Sequence, residues 1–152
     1  MRHGFNFAVE LDSDDEPSRA VFERITERGA LKRVVAFKDD LGLARDLMLV
    51  TVESGDGSAF GDWESTAIDR VHRVRIFAGA HEGHPDGRVF YTLAHEMCHA
   101  FLHAHGFGWL QTVYPDGTSA RSALAGTERL AARAEESLAT HLTELLWRRL
   151  LP

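Results

Sequence analysis

The chain has 152 residues, of which 44% are hydrophobic and 26% charged, a composition that suits one globular domain spanning 1–152. A net charge of −6 gives no indication of nucleic-acid binding, and the single cysteine, Cys98, excludes an internal disulfide. Residues 1–10 lack the apolar segment of a signal peptide and no apolar run could span a membrane, so we expect a cytoplasmic protein without membrane contacts.

The N-terminal half is predicted to form a helix followed by strands. Pro17 opens the helix after an acidic run, and Gly29 is expected to end it. Residues 33–37 and 46–53 are rich in Val, Leu and Met and predict two strands. Residues 71–78 alternate and predict a third strand. We expect this strand near a sheet edge, because long basic side chains lie on one of its faces.

Two more helices are predicted in the C-terminal half. The first runs from about 89 to 103 or 105 and ends at the glycines that follow. Residues 107–126 are mostly loop, and a long final helix is predicted over 127–150. The order of these elements predicts an α+β fold with a small twisted sheet between an N-terminal helix and two C-terminal helices.

The first C-terminal helix contains the pattern HExxH, formed by His95, Glu96 and His99. Residues four apart on a helix lie about 40° apart around its axis, so both imidazoles can reach one metal ion. Glu96 is offset by about 100°, which places it beside a metal-bound water rather than among the ligands. The pattern therefore predicts two zinc ligands and a general base.

The residues around this pattern predict that the helix has one buried face. Apolar side chains fill the arc opposite the two histidines, so that the histidines would face a cleft. Cys98 belongs to that arc and is interpreted as a small buried hydrophobe. The members of the apolar arc are Leu93, Ala94, Met97, Cys98, Phe101 and Leu102.

A third zinc ligand is expected on the final helix. Leucines and Ala131 mark the stripe of this helix that should be buried, and Glu135 lies at its edge. A carboxylate on a buried face is costly unless it is paired or bound to a metal, which makes Glu135 the first candidate. Glu128 shares its face and is the second, whereas Glu136 is expected to point nearly the opposite way.

Two histidines are alternatives for this third position. His105 lies ten residues after His95, as in the pattern HExxHxxGxxH, but Leu102 occupies the place of the glycine that breaks the helix there. His103 continues the histidine row by one turn and would lie about 6 Å further along the axis than the first pair. A role near the substrate suits His103 better than ligation.

The residues around the pentamer resemble the active helix of small intracellular HExxH peptidases. Thr-Leu-Ala-His-Glu followed by His103 is similar to the ImmA/IrrE-type peptidases. His-Glu-Met-Cys-His-Ala, with His105-Gly106 downstream, is similar to the SprT-like peptidases. The close resemblance covers residues 91–103, and both families imply a zincin-like fold and a zinc metallopeptidase.

The two resemblances imply different third ligands. ImmA/IrrE-type enzymes use a glutamate of a later helix followed by a Leu-Leu pair, the gluzincin arrangement, and Glu135 with Leu145-Leu146 matches that spacing. Leu138 stands where those proteins tend to have a small residue. SprT-like enzymes use a histidine from a His-Gly pair after a longer insertion, whereas His105 follows the pentamer closely.

The function expected from this pattern is zinc-dependent hydrolysis of peptide bonds in a peptide or protein substrate. Glu96 would take a proton from the attacking water and pass it to the leaving amine. Tyr114 and His141 are candidates for stabilising the oxyanion, and the sheet edge could pair with an extended peptide. Two alternatives are a non-catalytic zinc module, closed by His103 or His105, and a zinc hydrolase acting on a non-peptide amide.

Overall fold

A four-stranded mixed sheet forms the centre of the fold. The computed structural model describes residues 6–66, 68, 70–105 and 128–152. The strand order is β1-β2-β4-β3, with β1–β2 and β2–β4 parallel and β3–β4 antiparallel. The strands are β1 (Phe7–Leu11), β2 (Leu47–Glu53), β3 (Gly61–Ser65) and β4 (Val71–Phe77).

Within the described ranges, four α-helices accompany the sheet, which confirms the α+β class. The predicted HExxH helix is present, and the final helix is shorter than predicted because a 3₁₀ turn over Trp147–Leu150 replaces its end. None of the helices in the described ranges is long and apolar enough to cross a membrane. The helices are α1 (Glu16–Thr26), α2 (Arg28–Lys38), α3 (Arg88–Ala104) and α4 (Glu128–Leu146).

The strand predicted over 33–37 is wrong, because these residues belong to α2. Glu27 caps this helix by accepting hydrogen bonds from the backbone N–H groups of Gly29 and Ala30. Gly29 therefore lies in the first turn of α2 and does not end α1. The buried residues Ala30, Val34 and Phe37 recur at helical spacing, a signal that the run of β-branched residues obscured.

The predicted edge position of β4 is also wrong. The strand lies between β2 and β3, and β3 was missed because it follows directly on a glycine-rich loop. The basic side chains of β4 pair with acidic side chains of β3. Arg75 donates to Asp62 with an Nε–Oδ1 distance of 2.8 Å, and Arg73 lies 3.6 Å from Glu64.

The main core lies between the sheet and the helices. Alternate residues of β2 and β4 are fully buried, as expected for strands whose one face is covered. Helix α1 packs on β1 and β2, whereas α3 packs on β3 and β4 and carries α4 on its other side. Because α3 lies between the sheet and α4, one of its faces belongs to the core and the other faces α4.

Candidate metal centre

The two histidines of the HExxH pattern lie on the side of α3 that faces α4. Leu93, Ala94 and Met97 on the opposite side are completely buried, as the sequence predicted. Cys98 is also buried, and burial raises its pKa to about 11, so its thiol is suited to packing rather than nucleophilic attack. The apolar backing fixes α3 on the sheet and leaves the imidazoles at the contact with α4.

Glu136 of α4 completes a cluster with these histidines. One carboxylate oxygen lies 2.8 Å from Nε2 of His95 and the other lies 2.9 Å from Nε2 of His99. The two Nε2 atoms are 3.3 Å apart. One potential ligand atom from each of the three residues lies within 4.8 Å of the others, so the cluster could hold one metal ion.

The buried stripe predicted for α4 is confirmed only in part, and the structure brings both Glu135 and Glu136 to the histidines. Of the leucines predicted to be buried, Leu138 is 39% and Leu145 66% exposed, whereas Leu142 is partly buried. Ala139 and Thr143, one turn apart, are fully buried instead. Small side chains let α4 approach α3 closely, and Glu136 precedes Ala139 by one turn on the same face.

Glu135 contacts the same cluster from outside. Its Oε1 lies 3.2 Å from Nδ1 of His99, the ring nitrogen that points away from the cluster. On the other histidine, Nδ1 of His95 lies 3.3 Å from the Thr143 hydroxyl oxygen. That hydroxyl donates its own proton to the Ala139 carbonyl at 2.6 Å, so its oxygen accepts from His95.

The contacts with Glu135 and Thr143 determine which ring nitrogen of each histidine carries the proton. Because Nδ1–H of His99 donates to Glu135 and Nδ1–H of His95 donates to Thr143, both Nε2 atoms carry lone pairs. Two nitrogen lone pairs and the Glu136 carboxylate then converge on one point. Three acceptors at this separation repel one another unless a cation lies between them, and orienting contacts of this kind are typical of metal-binding histidines.

Glu96 lies beside the cluster in a largely enclosed position. Its side chain is 7% exposed, and it shares a pocket of about 330 Å³ with His95 and Glu136. Burial raises the pKa of Glu96 to about 8, and the nearby charges of Glu136 and Asp62 act in the same direction. Burial also lowers the pKa of His95, which favours the neutral imidazole.

Strand β3 closes one side of this arrangement. A Cβ on Gly61 would lie 2.6 Å from the Arg75 carbonyl oxygen and 2.9 Å from Thr92 of α3, so only glycine lets the strand pass this close to Glu96. Trp63 of the same strand stacks on His99, with ring planes 9° apart and centroids 6.3 Å apart. Sequence reasoning missed both residues, because it did not detect the strand that carries them.

A second polar cluster lies behind Trp63 and differs in its hydrogen bonding. The indole N–H of Trp63 donates to Nδ1 of His72 at 3.3 Å, and Nε2 of His72 lies 2.8 Å from Asp46. The other Asp46 oxygen accepts from Nε of Arg70 at 3.0 Å. His72 and Asp46 are almost fully buried. We call these four residues the Asp46 cluster.

The other residues proposed from the sequence do not join the metal cluster in the described part of the chain. His141 is exposed and lies two residues, or about 200°, round α4 from Ala139. His103 contacts the ring of Trp63, and His105 contacts that of Phe101. Both line a separate pocket of about 510 Å³ that contains none of the three cluster residues.

Two further candidates are not placed at the cluster. Glu128 is the first residue of α4, seven residues or about 10 Å of helix before Glu135. Tyr114 lies outside the described residues. The cluster with the right geometry therefore consists of His95, His99 and Glu136, and Glu135 is the partner of a histidine.

Comparisons of the chain with protein-family models, with curated proteins and with solved structures found no match. The geometry of the cluster and its pocket is therefore what indicates a function.

Proposed function

We propose that the chain is a zinc-dependent peptidase with a zincin-like arrangement, in which His95, His99 and Glu136 hold the metal. The observation that carries this proposal is the convergence of two Nε2 lone pairs and a carboxylate, with Nδ1 of each histidine engaged from outside. Two imidazoles and one carboxylate form a set that suits zinc. Glu135 is proposed to orient His99.

The number of ligands favours a catalytic over a structural zinc site. Structural sites have four protein ligands, whereas catalytic sites have three and keep one position open. Among the described residues, no fourth histidine, cysteine or acidic side chain joins the cluster within ligand distance. The pocket of about 330 Å³ beside His95 and Glu136 gives a substrate access to that position.

Glu96 is proposed as the general base. A bound zinc ion would supply a Lewis acid and lower the pKa of a coordinated water. Glu96 lines the same pocket as His95, so its carboxylate can accept the proton of the attacking water and return it to the leaving amine. An extended peptide could pair with β3, the last strand in the sheet order, and Tyr114 remains a candidate for stabilising the oxyanion.

The test compares wild type with Glu96→Gln on a degenerate peptide library and measures bound zinc in both. We expect the substitution to lower hydrolysis by about 10²–10⁴-fold, because general acid–base catalysis contributes that much. Bound zinc should be unchanged. Glu23→Gln is a matched control, since Glu23 is an exposed glutamate of α1 that does not line the pocket. It should retain activity.

Two outcomes would overturn parts of this proposal. Equal hydrolysis by wild type and Glu96→Gln would remove Glu96 as the base. A zinc-loaded wild type that cleaves no member of the library would leave a non-catalytic zinc module, or a hydrolase of a non-peptide amide, as the function.

A further inference from the structure

Arg88 lies in the proposed substrate pocket but has no role in the chemistry described above. It is the first residue of α3 and lines the same pocket as His95, Glu96 and Glu136. His95 lies two turns further along the helix, so a group bound by Arg88 would be close to the reacting centre. The position makes Arg88 a candidate for contact with the substrate.

Two aromatic rings hold the guanidinium of Arg88. Its central carbon lies 4.1 Å from the centroid of Phe60 and 4.8 Å from that of Tyr91. The hydroxyl of Tyr91 in turn donates to Glu144 at 2.8 Å, which ties this ring to α4. Stacking of this kind fixes the plane of a guanidinium while leaving its edge available for hydrogen bonds.

The hydrogen-bonding capacity of Arg88 is unused within the described residues. Its Nε is buried and has no hydrogen-bond partner, and no carboxylate forms an ion pair with it. Glu136, one of the two acids that line the pocket, directs both oxygens at the two histidines. A buried, unpaired donor is unfavourable unless a ligand supplies the acceptor.

Arg88 differs in this respect from the other arginines that the structure describes. Six of them pair with an acidic side chain, and Arg33 donates to the Leu150 carbonyl. The side chains of Arg28, Arg45, Arg133 and Arg148 are exposed, so water can satisfy them. The six paired arginines are Arg19, Arg24, Arg70, Arg73, Arg75 and Arg149.

We propose that Arg88 binds a carboxylate of the substrate, so that the enzyme prefers peptides with an acidic group near the cleaved bond. A guanidinium fork matches the two oxygens of a carboxylate, which explains the choice of anion. The carboxylate is that of an Asp or Glu side chain or of the peptide C-terminus. The inference rests on the proposed function, since it names the substrate class of that site.

Binding of labelled octapeptide pools to zinc-loaded protein carrying Glu96→Gln tests this directly, because bound peptide is not cleaved. One pool lacks Asp and Glu and ends in an amide. A second set has Glu fixed in turn at each central position, and a third pool is neutral with a free C-terminus. Fluorescence anisotropy with an uncharged dye gives the Kd of each pool.

We expect at least one carboxylate-containing pool to bind ten-fold or more tightly than the neutral amide pool. The second set and the third pool distinguish a side-chain from a C-terminal carboxylate. Adding Arg88→Gln should remove the preference, and Arg88→Lys should keep part of it, because the charge remains without the fork. Arg148→Gln is the matched control, since Arg148 also stacks on a ring, that of Trp147, but lies outside the pocket.

Equal binding of all pools would overturn the inference, and so would a preference that survives Arg88→Gln in protein with normal zinc content and thermal stability. Loss of the preference in Arg148→Gln would also count against a local role for Arg88. These outcomes are separate from failure of the proposed function. Binding is measured without turnover, and wild type could cleave peptides without any acidic preference.

Discussion

The Asp46 cluster and the metal cluster combine the same residue types, imidazole and carboxylate, yet their hydrogen bonding is opposite. In the Asp46 cluster, Trp63 donates to Nδ1 of His72, so the proton of His72 lies on Nε2 and points at Asp46. Each of its three contacts joins a donor to an acceptor. The cluster is complete without an ion, as expected for a buried polar group that stabilises a fold.

In the metal cluster, the outer partners impose the other tautomer. Glu135 and Thr143 accept the Nδ1 protons of His99 and His95, so the Nε2 lone pairs face each other and Glu136. The partner of Nδ1 therefore determines whether Nε2 carries a proton, as in His72, or a lone pair that can bind a metal, as in His95 and His99. Three measurements test this difference between the two clusters.

The largest expected effect is stabilisation of the protein by zinc. A ligand present at 100 times its Kd stabilises the folded state by about 2.7 kcal/mol, which corresponds to a Tm increase of roughly 5–10 °C for a chain of this size. Thermal unfolding with zinc and with a chelator measures the shift. The Tm increase should be absent in His95→Ala and fully present in Asp46→Asn. A wild type whose Tm does not change with zinc would contradict the proposed difference between the two clusters.

Asp46→Asn should destabilise the protein with or without zinc. The amide would present a donor to either Nε2–H of His72 or Nε of Arg70, so one buried contact becomes repulsive, at a cost of about 1–3 kcal/mol. Urea unfolding gives the change in free energy. Asp86→Asn is the control, because its pair with Arg24 is largely exposed and should contribute about 0–1 kcal/mol. A larger loss in the control would contradict the account.

The smallest effect is on the pH dependence of stability. Burial raises the pKa of Asp46, but hydrogen bonds from His72 and Arg70 more than offset this and hold it below the ordinary value of 3.8. The carboxylate therefore stabilises the fold above that value, and this contribution is lost as pH falls through the lower folded pKa. The difference in unfolding free energy between wild type and Asp46→Asn should be constant near neutrality and shrink in the acid range.

A stability difference between these two proteins that grows on acidification would reverse the sign of this linkage. It would show that burial, and not the hydrogen bonds, dominates at Asp46. The hydrogen bonds of the Asp46 cluster would then not outweigh the cost of burying its carboxylate.

The helix that carries the HExxH pattern could be predicted because its signal is local. The spacing of His95 and His99 and the apolar arc opposite them depend only on helical periodicity. Strand β4 was predicted from the alternation of its residues, and β2 from a run rich in Val, Leu and Met. Strand β3 lacks such a pattern, as none of its side chains is fully buried.

The third member of the cluster could not be predicted by the same reasoning. The orientation of α4 depends on how closely it approaches α3, and Ala139 and Thr143 determine this through their small size. A hydrophobicity pattern gives weight to the exposed leucines Leu138 and Leu145 instead. Glu135 and Glu136 differ by about 100° around the helix, so the orientation of α4 determines which of them lies nearer the two Nε2 atoms.

The most direct test of the central claim is a zinc titration of the adjacent substitutions Glu136→Gln and Glu135→Gln by calorimetry. Loss of a ligand should weaken zinc binding by more than about 100-fold, whereas loss of the partner of His99 should weaken it by about 10–100-fold. We expect Glu136→Gln to weaken zinc binding more than Glu135→Gln does. Equal losses, or a greater loss in Glu135→Gln, would contradict it and restore Glu135 as the ligand.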